Sequence, residues 1–249
     1  MIPIHITWES MGIKRSVVSA IPTDWDELTP KQLVAIATNY NTETGDPQFF
    51  ADLLCIDIKT AGSLSEFHKY SITKELLFMT EFTPLDHFII NVYNGLVSPL
   101  PRMEGMSFGQ FMFVDTYYER AVTKSDPASV DKFIACLYLP LKGVFNEILI
   151  PERSVSASLN IPKNTKVAML MNYRLVKEWI CQHYPVVFPK AVEKPEPGIK
   201  HSRKSKGRGW VTLFESLVGD DIINQDRYAQ LPLHSVLRFL TKKIKENGR

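Results

Sequence analysis

Glycine is scarce in this 249-residue chain: 12 residues, against about 7% in ordinary proteins. Few positions are left for the glycine-rich loops that cradle phosphates. Neither a P-loop nor a dinucleotide fingerprint occurs; Lys204-Ser205 imitates the end of a P-loop, but the glycine spacing before it is wrong. Cysteine is scarcer still. Cys55, Cys136 and Cys181 are too few and odd in number for a disulfide framework and suit a reducing compartment. They read as small core residues. No run reaches the roughly 18 apolar residues of a membrane span; Phe88 to Val97 comes nearest and is interrupted by Asn91, Asn94 and Gly95. Met1 to Trp8 lacks a basic region followed by an apolar one, so no signal peptide is expected. Charge of one sign is also lacking: 29 Lys and Arg oppose 27 Asp and Glu, a net +2. With 45% hydrophobic and 22% charged residues, the chain is not disordered throughout.

Catalytic and metal-binding patterns are missing too. Of His5, His68, His87, His183, His201 and His234, no two are three or four residues apart, so no helical face pairs them as ligands. Gly105-Met106-Ser107-Phe108-Gly109 matches G-x-S-x-G, but that elbow needs a strand leading into the turn. Ser98-Pro99-Leu100-Pro101 is no such strand, and Ser107 with Gln110 reads as a helix capping box. Asp220-Asp221 reads as a cap before Ile222 and Ile223. Asp115 lies near an apolar stripe and needs a partner if buried; Arg120 is close in sequence, and two other helices are further sources. No cofactor, metal or enzymatic activity is expected.

What is present is mostly helical patterning. Ile2, Ile4, Ile6 and Trp8 alternate with His5 and Thr7, a strand period. Met11-Gly12 offers a turn, Arg15 to Ile21 a returning strand, and Pro3 suits an edge. From residue 24 the period becomes helical. Thr29-Pro30, Asp46-Pro47, Thr83-Pro84 and Asp126-Pro127 each set a capping side chain before a proline suited to the first helical position. Thr29 and Gln32 fit a capping box. Helices are predicted through Leu33–Tyr40, Phe50–Leu54, Leu85–Leu96, Phe108–Tyr118 and Val130–Tyr138. The longest, Lys166 to Tyr184, carries two apolar stripes and should lie between neighbours. Pro99, Pro101, Pro140 and Pro151 mark breaks.

Residues 190–209 differ in composition. Seven cations against Glu193 and Glu196 give this run +5, leaving −3 for the rest of the chain. It reads as a basic linker or exposed loop. Lys200, Arg203, Lys204, Lys206 and Arg208 within it form a patch suited to a solvated linker, an acidic protein surface or nucleic acid. Stacking aromatics are missing from it until Trp210. The expected fold is mainly α: an N-terminal β-hairpin (1–23), an irregular helical bundle (24–189), the basic linker or loop (190–209), and a small C-terminal helical appendage (210–249) opened by Trp210.

The run Ile21-Pro22-Thr23-Asp24-Trp25-Asp26-Glu27-Leu28-Thr29-Pro30-Lys31-Gln32-Leu33 follows directly on the hairpin. Its I-P-x-x-W-x-E-L-T-x-x-Q-L pattern resembles small helical proteins coded in tail and virion modules of Bacteroidetes phages and prophages, some of them tail assembly chaperones. The Trp210 helix, Asp226 to Leu233 and the last amphipathic helix resemble the same group more loosely. Residues 46–189 do not align with it. Trp25, Leu28, Thr29, Gln32 and Trp210 carry the likeness as structural positions. It implies a non-enzymatic role in particle assembly, in the host cytoplasm or the virion. The partners would be other phage structural proteins or copies of itself, with no membrane. A chaperone and a retained structural component both fit. A basic nucleic-acid-binding accessory protein and an unrecognised enzyme are the alternatives.

Overall fold

A computed structural model describes residues 1–10, 13–39, 46–189 and 210–247. The fold is mainly helical, with a short N-terminal hairpin and a small C-terminal helical segment. Strands β1 (Ile2–Ser10) and β2 (Ile13–Ile21) pair antiparallel, Ile6 opposite Val17 and Pro3 opposite Ala20. Ile6 and Ile21 on the inner face are buried. The ribbon gains its support from the helix Pro47–Leu54, since two strands alone are marginal in water.

Helices α1 (Pro30–Asn39), α2 (Pro47–Leu54), α3 (Ile58–Gly62) and α4 (Glu66–Glu75) come next. Proline leads α1 and α2 as the sequence predicts, and Asp46 caps α2 by accepting from the Gln48 amide. The carbonyls at the end of α2 lack partners within the helix. Leu53 receives the Gln32 side-chain amide at 2.7 Å and Leu54 the Ser19 hydroxyl, so α1 and the hairpin both fasten this one helix end.

The predicted helix Leu85–Leu96 does not form. Thr83-Pro84 opens an extended strap instead, ending in strands β3 (Val92–Tyr93) and β4 (Leu96–Val97). Asn94 and Gly95 both have positive φ, the signature of a tight hairpin turn. That signal outranks the apolar period, which buried irregular chain can imitate. Leu85, Phe88, Ile89 and Ile90 are still buried, and the strap meets its backbone needs with borrowed partners. Leu85 N–H donates to the Leu175 carbonyl at 3.2 Å. Ile90 N–H donates to Asn172 Oδ1 at 2.8 Å, and its carbonyl accepts the Tyr138 hydroxyl at 2.7 Å.

Helices α5 (Phe108–Lys124) and α6 (Pro127–Leu137), strand β5 (Leu139–Pro140) and helices α7 (Ile150–Asn160) and α8 (Lys163–His183) complete the body. Pro151 stands in the first turn of α7, so it starts a helix rather than breaking one. In α8, Met169, Tyr173, Val176 and Ile180 are buried, while Val167, Leu170, Met171 and Trp179 are partly covered. Two-sided burial is thus complete on one stripe and partial on the other.

The C-terminal segment holds α9 (Trp210–Val218), α10 (Gln225–Ala229) and α11 (Leu233–Asn247). It packs on the start of α5. Phe108 N–H donates to the Leu231 carbonyl at 2.8 Å and Leu233 N–H to that of Met106 at 3.0 Å. Gly109 lets α10 approach closely: a Cβ there would lie 3.0 Å from the Ala229 Cβ and carbonyl oxygen. Leu233, Val236, Leu237 and Leu240 bury the inner face of α11 in the same core as Ile6 and Trp25.

Candidate functional site

The residues that carry the family likeness are structural anchors. Thr29 N–H donates to Gln32 Oε1 at 2.9 Å and Gln32 N–H to Thr29 Oγ1 at 3.3 Å, so the expected capping box forms. Leu28 is buried. The Trp25 ring is fully buried, stacked on Phe82 at 5.5 Å and edge-on to Phe78 at 5.4 Å, with Nε1 donating to the Glu81 carbonyl. The motif therefore ties the start of the bundle to the turn after α4.

Trp210 anchors the C-terminal segment in the same manner. Its ring meets Phe108, Phe111 and Phe188, and Nε1 donates to Asp115 Oδ2 at 2.7 Å. Asp115 is 4% exposed. Its other oxygen takes the Tyr173 hydroxyl at 3.0 Å and the Lys177 ammonium at 2.7 Å. The partners of this buried acid come from α8 and α9; Arg120 instead lies over the Tyr117 ring. Burial alone pulls the Lys177 ammonium down, but Asp115 and Glu119 outweigh it and hold it above the usual lysine range. Burial, with the Asp115 charge added, pushes the Tyr173 phenol well up. Such a pair is a fastening with its hydrogen bonds satisfied. Phe188 and Trp210 rings lie 5.6 Å apart, so the chain on either side of residues 190–209 meets at one point of the body. Lys200, Arg203, Lys204, Lys206 and Arg208 lie outside the described residues.

Other candidates resolve into local structure. Ser107 caps α5 by accepting from the Gln110 amide at 3.1 Å, and Gln110 Nε2 donates to the Cys136 carbonyl, tying α5 to α6. Asp221 accepts from Asn224 and Tyr228 side chains. Cys136 is buried and Cys181 partly so, as expected, but Cys55 is exposed. It ends α2 with a left-handed φ of 53°, a conformation that turns it out of the core.

Two exposed apolar faces escaped the reading of the sequence. On α4, Ile72 is buried, as is Leu76 just beyond it, while Phe67 and Tyr70 are 75% and 69% exposed and Leu77 63%. Around α7, Val144, Ile148 and Leu159 are 79–81% exposed, with Leu141 and Val155 beside them in sequence at 72% and 60%. Val155 and Leu159 are one helical turn apart, opposite the buried Ala157. Apolar period announces a helix but not which of two stripes the body covers.

A third feature joins three separated segments. The turn Pro101–Met103 has positive φ at Arg102 and Met103, and Arg102 N–H donates to the Asp86 carbonyl. Arg102 Cζ lies 5.7 Å from the Trp179 ring centroid. The His183 ring stacks on Trp179 at 3.6 Å and 22°, and its Nδ1 donates to the Trp179 carbonyl. His234 of α11 donates from Nε2 to the Arg102 carbonyl at 2.7 Å and accepts the Tyr184 hydroxyl at Nδ1 at 2.8 Å. Beyond it, Arg238, Thr241, Lys242, Lys245 and Glu246 border an open depression along α11.

No protein-family model matches the chain, and no similar curated protein or solved structure is found. No helix among the described residues is long and apolar enough to cross a membrane.

Proposed function

We propose that this chain is a non-enzymatic bacteriophage assembly protein acting through protein–protein contacts, as a tail assembly chaperone or a structural component of the tail or head–tail region. The exposed apolar side chains Leu141, Val144, Ile148, Val155 and Leu159 carry the reading. Large apolar side chains left exposed along one short stretch of chain suit an interaction surface. The likeness of residues 21–33 to phage tail-module proteins supports the phage context. In this reading the surface takes an apolar face of a tail protein or of a second copy, and the hairpin and C-terminal segment keep the body rigid beneath it.

The test is mass spectrometry of purified phage particles together with photo-crosslinking from position 159 in lysates of producing cells. Many copies in the particle support the structural role. Crosslinks to a tail protein, with the chain missing from the particle, support the chaperone. Neither result, or crosslinks unchanged by Val155→Asp in a variant that keeps its melting temperature, would overturn the proposal.

A further inference from the structure

A second surface, remote in sequence from the apolar one, pairs cations with flat rings. Three segments build it: the turn at Arg102, the C-terminal end of α8 with Trp179, His183 and Tyr184, and the outer face of α11. The His234 ring of α11 lies 6.4 Å from the Trp179 ring and 5.7 Å from that of Tyr184, and Arg238, Lys242 and Lys245 follow it along the same helix. Those three cations follow at spacings of four and three residues on one side of α11, spanning roughly 10 Å of helix axis. Lys243 does not join them: its ammonium is held by the Ser216 carbonyl at the end of α9. Acids lie close by as well: Glu104 is exposed two residues after Arg102, and Glu178 directly precedes Trp179. Glu246 meets Lys242 only at 3.9 Å with both side chains exposed, a weak pairing. Asp86 faces Arg102 and His87.

The rings decide the chemistry of the ligand. An acidic peptide needs cations and gains little from a stack. Single-stranded nucleic acid uses both, phosphates on a cationic track and bases on aromatic faces. The Trp179–His183 stack is fixed by the Nδ1 bond to the Trp179 carbonyl, and His183 is exposed, so its outer ring face is where a base continues the stack. We propose that this surface binds a single strand of nucleic acid, with Arg238, Lys242 and Lys245 on phosphates and the Trp179–His183 stack on a base.

The experiment is fluorescence anisotropy of the full chain with labelled dT12, an abasic 12-mer and an oligoglutamate peptide, as a function of salt. The wild-type chain should bind dT12 at low salt, and the abasic strand about fivefold or more weakly, from the stacking of one base. The triple variant Arg238→Gln, Lys242→Gln, Lys245→Gln should lose tenfold or more in affinity, and its log–log salt slope should fall by about 2, from three lost phosphate contacts on a single strand. Trp179→Leu with His183→Ser should bind dT12 and the abasic strand alike; circular dichroism confirms that it is folded. Absence of binding at low salt overturns the proposal. So does equal wild-type binding of all three ligands, which is a generic polyanion response. A triple variant that binds like wild type, while neutralising Lys200, Arg203, Lys204, Lys206 and Arg208 abolishes binding, moves the site elsewhere and overturns it too.

Discussion

The C-terminal segment is fastened to the body twice, by opposite means. At its start, α9 is held by a buried charge: Asp115 gathers Trp210, Tyr173 and Lys177 from two helices. At its far side, α11 is held by a partly exposed imidazole, His234, bridging Tyr184 and the Arg102 carbonyl. Both are polar joints of similar hydrogen-bond length. They differ in what happens when a member is removed. Water replaces a lost partner at the exposed joint, whereas at the buried one the remaining donors are left without an acceptor. The first leaves side chains free for another molecule; the second does not.

Asp115→Ala tests the buried joint most severely. It leaves the Tyr173 hydroxyl and the Trp210 indole N–H without their acceptor and Lys177 with Glu119 alone, and should cost about 3 kcal/mol in urea unfolding. Asp115→Asn keeps an acceptor and should cost less. Burial pushes the nearby Cys181 thiol up to about 11, so it should react slowly with a thiol reagent at pH 8 in the wild type and faster in Asp115→Ala. Exposed Cys55 should react quickly in both. An unchanged Cys181 rate would mean that the clasp does not hold this region shut.

Alkaline pH tests the same joint by titration. Lys177 and Tyr173 both bind their protons more tightly in the folded state than in the unfolded chain. Their contribution is therefore fully present below the unfolded values near pH 10 and is lost as pH rises through the folded ones. Stability from the clasp should be level between pH 7 and about 9.5, then fall by up to about 1.4 kcal/mol per pH unit for each group. Lys177→Met should flatten that fall in pH-dependent urea titrations.

The smallest effect belongs to the exposed joint. His234→Ala should cost about 1 kcal/mol, the ordinary loss for hydrogen bonds that water can replace, read as a small drop in thermal midpoint. A loss as large as that of Asp115→Ala would erase the distinction between the joints.

Much of the fold was legible in the sequence because its signals are local. Thr29 and Gln32 announce a capping box, Asp126-Pro127 a helix start, and Ile2 to Trp8 a strand, each within a few residues. The strap from Leu85 to Leu96 is not legible because its apolar spacing imitates a helix, and Asn94-Gly95 decides for a turn against it. The place of Asp115 near an apolar stripe calls for a partner, but Tyr173 and Trp210 lie 58 and 95 residues away, and no spacing rule reaches so far. The surface around Trp179 was invisible for the same reason. Its members sit in three segments, and each alone reads as part of an apolar stripe or as cations at a helix end.

The strap also constrains the order in which the chain assembles. A helix carries its own backbone partners and can form early, whereas the strap draws its partners from Asn172 and Leu175 on α8 and from Tyr138 just after α6. Until those helices are in place, closing the strap means giving up water around its amides and carbonyls with nothing in return. Its contacts span 48 to 90 residues, and loop closure over such distances is itself unfavourable before packing rewards it. The strap should therefore close late, after the helices that supply its partners, which hydrogen-exchange labelling during refolding would show as slower protection of the Ile90 amide than of the α8 amides.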